Sequence, residues 1–153
     1  MKNQIAIISI LFASILLMSN CSNQKESVSA MDIQSQSVFG KWKFVSFADG
    51  KKTDFKVSLE LSNTLSQDGK YTINGKGSVN FYFAYFTIDE AKKSFVVSTL
   101  GSTKMAGSPA EMEFETNYFG KFGKVVKYEI LGENLILHLP TSEKEKLIFS
   151  RES

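Results

Sequence analysis

The chain has 153 residues, 42% of them hydrophobic, and a formal net charge of +2. This length allows one domain with appendages but not two separate cores. The 18 basic and 16 acidic residues nearly balance and are spread along the chain, which argues against a nucleic-acid surface. A single cysteine and a single histidine exclude an internal disulfide and leave few side chains for a metal site or a nucleophile–histidine pair.

The first twenty residues differ from the rest of the sequence. An apolar run from Ile5 to Met18 follows Lys2 and contains no charged residue. A membrane-spanning helix needs about 20 apolar residues, so the run is too short to span, whereas it suits a secretory signal peptide. We therefore predict that residues 1–20 are a signal peptide.

The only cysteine, Cys21, follows this run directly. A lone cysteine between an apolar segment and a polar one is typical of the lipid-modified first residue of a bacterial lipoprotein, so we predict that Cys21 is acylated and anchors the protein to a membrane. Met18 and Asn20 depart from the usual lipobox, which prefers leucine and a small residue there. The alternative is an ordinary signal peptide that happens to contain a cysteine.

Residues 21–37 are rich in Ser and Gln and poor in large apolar groups. This composition predicts a flexible tether that holds a folded domain, residues 38–153, away from the membrane. The expected location is the bacterial cell envelope, at the outer membrane and facing either the periplasm or the surface. Residues 24–26, just after the cysteine, resemble the surface-export signals of some lipoproteins.

The folded part is predicted to be mainly β. Residues 55–61 alternate apolar and polar side chains, as a half-buried strand does, whereas residues 81–88 (FYFAYFTI) are so aromatic that either both faces are covered or one carries an exposed aromatic patch. We expect about eight short antiparallel strands in a small barrel or strongly curved sheet. The predicted strands cover residues 42–47, 55–61, 70–74, 81–88, 95–99, 126–131, 134–139 and 145–151.

One amphipathic helix is predicted to follow the glycine-marked loop that opens at Gly101. Ser108 and Glu111 have capping-box spacing, with proline at the first helical position. The apolar stripe is expected to centre on Met112, Phe119, Phe122 and Val126, with Phe114, Tyr118 and Val125 widening it. Glycines are expected to end the helix between residues 119 and 124. The helix is expected to close one opening of the sheet.

Two polar side chains are predicted to specify the fold. Glu115 lies within the apolar arc of the helix, so its carboxylate needs a partner. Lys104, or backbone amides of the loop around it, are the expected partners, and the alternative is that the side chain bends out to solvent. Asn80 is expected to bond to backbone and fix its own turn.

No residue pattern indicates chemistry. His138 alternates with leucines in a strand and is expected to be an ordinary solvated residue. The aspartates lie at predicted turns, where Asp is favoured for backbone reasons. The glycines at positions 75 and 77 do not precede a helix, so a phosphate-binding loop is not indicated. We therefore expect no enzyme activity, no metal site and no cofactor.

Several segments together resemble a known family. They are residues 102–107 (STKMAG), 112–115 (MEFE), 127–139 (KYEILGENLILHL) and 147–151 (LIFSR), together with the Trp42 strand and the turn at residues 77–82 (GSVNFY). In this order they resemble the META domain of heat-inducible, HslJ-like bacterial envelope lipoproteins. The resemblance implies a stress- or envelope-related role without a defined molecular activity.

The chain departs from that family at two positions. The family commonly has cysteines where this sequence has Val79 and Gly107, and the loss of both is expected if they pair with each other when present.

Three hypotheses of function remain open. The first is a non-enzymatic, lipid-anchored envelope protein. The second is a carrier of a small apolar ligand inside the barrel, although aromatic residues fill small barrels more often than they line cavities. The third is an interaction or inhibitor module that docks an envelope protein through the 81–86 strand. A monomer is expected in each case.

Lipid anchoring gives the first testable prediction. Mass spectrometry of the mature protein should find residues 1–20 removed and Cys21 acylated, and Cys21→Ala should move the protein out of the membrane fraction. An unmodified Cys21 in the mature protein would show that the anchor prediction is wrong.

Overall fold

A computed structural model of the chain describes residues 37–48, 50, 52–140 and 145–152. The predicted signal peptide, Cys21 and all of the predicted tether except Ser37 lie outside these residues. The described part has nine strands and one helix, which confirms the mainly β prediction. The elements are β1 Gly40–Phe47, β2 Ser58–Leu65, β3 Tyr71–Lys76, β4 Phe81–Asp89, β5 Ser94–Val97, β6 Gly101–Ser102, α1 Pro109–Phe122, β7 Lys127–Leu131, β8 Asn134–His138 and β9 Lys146–Arg151.

The strands form a single antiparallel sheet in the order β3-β2-β1-β9-β8-β7-β5-β4-β6. A further pairing, of β3 with β4, closes this sheet into a ring. On its other side, β4 pairs with β6 near its start and with β5 near its end. The closure pairs strand edges that would otherwise be open to association, and it confirms the predicted curved sheet.

The largest departures from the predicted strands are at β6 and β2, whereas the other strands differ from their predicted bounds by one or two residues at an end. β6, at Gly101–Ser102, lies in what was predicted as a loop, and two residues carry no periodicity by which a strand could be recognised. β2 begins at Ser58 rather than at residue 55. The apolar–polar alternation of the sequence begins three residues before the strand because the Phe55 ring packs on Phe114 of the helix, with 5.0 Å between the ring centroids.

Aromatic side chains fill the middle of the ring of strands. The Tyr118 ring, on α1, lies 5.4 Å from that of Phe44, 5.8 Å from Tyr82 and 6.5 Å from Phe149. Trp42 is fully buried and donates its indole N–H to the Val38 carbonyl at 2.9 Å. Rings from the sheet and the helix therefore form one continuous core.

The guanidinium of Arg151 lies 4.1 Å from the centre of the Trp42 ring. It also donates to the carbonyls of Ser37 and Phe39. These contacts join the last strand to the chain segment that enters β1, so Trp42 and Arg151 fix the entry of the chain into the sheet.

Helix α1 packs against the sheet through Tyr118, whose ring contacts rings on β1, β4 and β9. Ser108 and Glu111 form the predicted capping box, in which the Ser108 backbone N–H and hydroxyl donate to the Glu111 carboxylate at 2.8 and 2.7 Å. These two donors lower the pKa of Glu111. The helix ends at Phe122, within the predicted range.

The inner face of α1 includes Tyr118 and Phe122, as predicted, but it is not centred on Met112 and Phe119. The buried residues are Glu115, Tyr118 and Phe122, whereas Met112 and Phe119 are only half-buried. Compared with the prediction, the helix is rotated so that Glu115 faces the core. A hydrophobic pattern disfavours a buried carboxylate, but this one accepts hydrogen bonds from buried donors.

The hydroxyls of Tyr82 and Tyr118 meet inside the core at 2.8 Å, and the Tyr82 hydroxyl also lies 2.9 Å from the Ser58 carbonyl. Burial raises the pKa of both hydroxyls well above the ordinary value for tyrosine, and the neighbouring Tyr82 adds to the rise at Tyr118. Both groups therefore keep their protons in the folded state at pH values where the unfolded chain loses them.

This difference predicts alkaline destabilisation. The pKa of each of the two buried hydroxyls is higher in the folded protein than in the unfolded chain, where it is about 10. Their contribution to the free energy of unfolding is therefore fully present below pH 10 and is lost progressively as the pH rises toward the folded pKa. Urea unfolding between pH 8 and 11.5 should show a steeper loss in the wild type than in the Tyr82→Phe/Tyr118→Phe double variant. Tyr85→Phe, on the solvent-facing side, should keep the wild-type slope. Equal slopes in all three proteins would contradict the prediction.

Candidate functional site

The carboxylate of Glu115 is the most buried charge in the described part of the chain, with the residue 3% exposed. Its Oε2 accepts from the backbone N–H groups of Val79 and Asn80 at 2.9 and 2.7 Å. Its Oε1 accepts from the Asn80 side-chain amide at 2.6 Å. Three N–H donors therefore replace the water that the carboxylate loses on burial.

These donors correct the predicted partner of Glu115. They come from the turn between β3 and β4 (residues 77–80, hereafter the β3–β4 turn), not from Lys104 or the loop around it. Lys104 is exposed, and the alternative that Glu115 bends out to solvent is also wrong. No local pattern indicates this pairing, because the donors of the turn lie 35 and 36 residues away from the carboxylate along the chain.

Asn80 connects the turn to a second loop. Its Oδ1 accepts from the Thr103 hydroxyl at 2.8 Å and from the Met105 N–H at 2.7 Å, and its Nδ2 also donates to the Met105 carbonyl at 3.2 Å. The expectation that the Asn80 side chain bonds to backbone is confirmed, but the backbone is that of Met105 and not that of its own turn, which the Gly77 N–H and the Asn80 carbonyl close at 2.7 Å. The Asn80 side chain instead holds the loop that follows β6.

Gly77 and Ser78 let the turn approach the helix. A Cβ atom on Gly77 would lie 2.4 Å from Oε2 of Glu115, so a side chain at this position would displace the carboxylate. The Ser78 hydroxyl donates to the Glu111 carbonyl at 2.7 Å. Turn and helix are thus docked through backbone groups, in what we call the turn–helix lock, formed by residues 77–80 and Glu115.

Val79 and Gly107 touch each other across this lock. A Cβ atom on Gly107 would lie 2.4 Å from Cγ2 of Val79, so the two Cβ atoms would be no more than about 4 Å apart once one C–C bond is added. That separation is within the range of about 3.5–4.5 Å found in disulfides. The geometry agrees with the expectation that cysteines at these two positions would pair.

The lock does not offer an evident catalytic group. Both oxygens of Glu115 accept hydrogen bonds from amide donors of the β3–β4 turn. His138 is half-buried, and its Nε2 lies 3.4 Å from a carboxylate oxygen of Glu129. Among the described residues, no group of three or more His, Cys, Asp or Glu side chains is placed to hold a metal ion.

A second site lies on the outer face of the sheet. Strand β4 alternates strictly, so that Tyr82, Ala84 and Phe86 point into the core and the remaining aromatic residues point outward. The outward residues are Phe81, Phe83 and Tyr85, which are 57%, 58% and 47% exposed. Of the two alternatives for this strand, the exposed aromatic patch is correct.

Polar side chains stand beside these rings on the neighbouring strands. In the sheet register, Lys76, Asn74 and Thr72 of β3 lie opposite Phe81, Phe83 and Tyr85, in that order. The next strand, β2, places Ser58 beside Lys76, Glu60 beside Asn74 and Ser62 beside Thr72. An aromatic column thus runs parallel to two polar columns on one surface.

An open groove of about 400 Å³ lies between these columns. We call it the outer groove, and it is lined by Lys41, Ser58, Leu59, Glu60, Asn74, Gly75, Lys76, Phe81, Tyr82, Phe83 and Glu152. Within the part of the chain that the structure describes, the side chains of Glu60 and Asn74 have no hydrogen bond or ion pair. The groove therefore has the size of a small-ligand site and polar groups that remain available.

The turn–helix lock gives a prediction for stability. Glu115→Ala should destabilise the protein by about 2–3 kcal/mol, because it leaves three N–H donors buried without an acceptor. Glu113→Ala, which changes an exposed glutamate two residues earlier on the same helix, should stay within about 0.5 kcal/mol. Chemical denaturation of the two variants side by side measures this difference. Equal and small effects would contradict the lock.

The contact between Val79 and Gly107 gives a second prediction. The Val79→Cys/Gly107→Cys variant should form an internal disulfide on oxidation and gain about 3 kcal/mol, since the closed loop spans nearly thirty residues. The reduced form of the same protein is the matched control. Thiol titration and urea unfolding in both states measure the effect. Two free thiols under oxidising conditions would show that the positions do not approach as described.

No helix in the described part of the chain has the length and apolar character needed to cross a membrane. No functionally curated protein matches the sequence. The fold does resemble solved structures. A protein from Burkholderia xenovorans solved by NMR matches with a TM-score of 0.58 and 19% identity, over 79% of this chain and 88% of that chain. A DUF4847 family protein from Bacteroides vulgatus matches with a TM-score of 0.52 and 14% identity, over 78% and 97% of the two chains.

At these identities the two structures support the fold alone. The sequence itself gives the family, because the META domain profile matches residues 36–153 and so spans the whole described part of the chain. The protein belongs to the META domain family.

Proposed function

We propose that the protein is a lipid-anchored envelope protein of bacteria that acts by binding rather than by catalysis, with the outer groove as its contact site. The acylated Cys21 would hold the domain at the outer membrane, and residues 22–37 would give it reach. The HslJ-like resemblance adds a stress- or envelope-related setting for this activity.

The observation that carries the proposal is the contrast between the two faces of β4. Its inward side chains are packed against other rings, with Phe86 stacked on Phe95 at 4.7 Å. Its outward side chains, Phe81, Phe83 and Tyr85, are about half exposed, and Phe81 and Phe83 line the outer groove. Exposing three adjacent aromatic rings works against solubility, so contiguous patches of this kind usually mark an interaction site.

The same contrast weighs against the carrier hypothesis. A ligand inside the ring of strands would have to displace Trp42, Tyr82 or Tyr118, each of which is at most 1% exposed and packed against neighbouring groups. The interaction hypothesis needs no such displacement because the outer groove is already accessible.

Site-specific photo-crosslinking in the bacterium that makes the protein tests the proposal. A p-benzoylphenylalanine placed at Phe83 should give covalent adducts in the envelope. The same group at Val96 is the matched control, since Val96 is 53% exposed on the outer face of β5 but does not line the groove. Adducts at position 83 and not at 96 are expected. No adduct at position 83, or equal adducts at both positions, would overturn the proposal.

A further inference from the structure

We infer that the outer groove binds an extended, uncharged, β-linked polysaccharide strand that lies along β4. This inference rests on the proposed function and names the ligand class of the same site. It follows from the order of the side chains on the outer face, their charges and the size of the groove.

The aromatic column supplies stacking surfaces at a regular repeat. Phe81, Phe83 and Tyr85 are alternate residues of one strand, so their Cα atoms follow each other at about 7 Å along it. A β-linked hexose chain is a ribbon whose sugars present flat C–H faces, and such faces pack on aromatic rings. A row of exposed rings along one strand therefore suits an extended ligand.

The polar columns supply the hydrogen bonds that such a ligand requires. Sugar hydroxyls both donate and accept, so they need partners of both kinds along one side. The Asn74 amide does both, the Glu60 carboxylate accepts and the Lys76 ammonium donates. Asn74 and Glu60 have no partner among the described residues, so a ligand would not have to break a contact of these two side chains, whereas the Lys76 ammonium already lies 5.9 Å from the centre of the Phe81 ring.

The charges of the groove favour an uncharged ligand. Lys41 and Lys76 are offset by Glu60 and Glu152, and Glu152 is itself paired with Lys43 at 3.5 Å. Anionic lipid headgroups and single-stranded nucleic acids bind surfaces with a large excess of positive charge, whereas three lysines and two glutamates lie at the groove when Lys43 is counted. An apolar ligand would in turn bury these charged groups without compensation.

A protein partner fits the groove less well. The centres of protein interfaces are depleted in Lys, Glu and Asp, whereas here two lysines and two glutamates surround a space of about 400 Å³. This composition is better matched by a ligand that carries hydroxyls throughout its length.

Titration with defined oligosaccharides tests the inference. The mature chain from residue 21, with Cys21→Ser so that it can be purified without lipid, is labelled with nitrogen-15 and titrated with chitohexaose and with cellohexaose. Dextran oligomers, which are α-linked, serve as the control ligand. We expect saturable shifts of the backbone amides at residues 58–60, 74–76 and 81–85 with at least one of the β-linked probes, and none with dextran.

Three variants locate the binding. Phe83→Ala should weaken the affinity at least tenfold and Asn74→Ala at least threefold, while Val96→Ala should change it less than twofold. The Phe83 ring also covers Gly101, so Phe83→Ala could weaken binding by disturbing the fold. Asn74→Ala controls for this effect because the Asn74 side chain is exposed. Affinities that stay at the wild-type value in both groove variants would overturn the inference.

The outcomes separate this inference from the proposed function. If neither β-linked probe binds at millimolar concentration while the position-83 crosslinker still gives adducts, the glycan is wrong and the binding role stands. The same holds if anionic phosphatidylcholine–phosphatidylglycerol vesicles shift the groove amides instead. If neither probe binds and position 83 gives no adduct, both proposals are overturned.

Discussion

The rest of the structure depends on one buried carboxylate. Glu115 lies on the inner face of α1, where an ionised group is stable only if hydrogen bonds replace its lost hydration, and the β3–β4 turn provides three N–H donors for it. The pairing fixes how the helix docks on the sheet. It also fixes where β4 begins, because Phe81 directly follows Asn80, and Asn80 in turn holds Thr103 and Met105. The outer groove therefore lies on a strand, β4, whose first residue is positioned by the buried contact between Glu115 and Asn80.

Most of the fold could be predicted from the sequence because it follows from local rules. The alternation of apolar and polar residues predicted the long strands. The sequence Ser-Pro-Ala-Glu at residues 108–111 predicted the start of the helix, where Ser108 and Glu111 form a capping box. The two-residue β6 was missed because a strand so short has no period. The centre of the helix face was predicted wrongly because a hydrophobic pattern disfavours a glutamate on the buried side. Burial of Glu115 is stable only because the β3–β4 turn, which is distant in the sequence, donates hydrogen bonds to it.

Less of the candidate site could be predicted. The sequence indicated that Glu115 needs a partner, but the donors are about 35 residues away and lie in a turn whose backbone N–H groups no side-chain pattern reports. The aromatic character of residues 81–88 was plain, although it could not show which face was covered. The groove beside Phe83 arises only from the register of β2, β3 and β4, which brings Glu60, Asn74 and Phe83 into one row across three strands.

Native-state amide hydrogen exchange of Asn80 tests most directly whether the Glu115 carboxylate holds the β3–β4 turn. We expect this N–H, although it lies in a turn, to exchange as slowly as the paired amides of the strands, because it is buried and donates to Oε2 of Glu115 at 2.7 Å. Glu115→Ala should speed its exchange far more than that of Phe149, whose residue lies in β9 away from the turn. Exchange in the wild type as fast as that of an exposed loop amide would contradict the account.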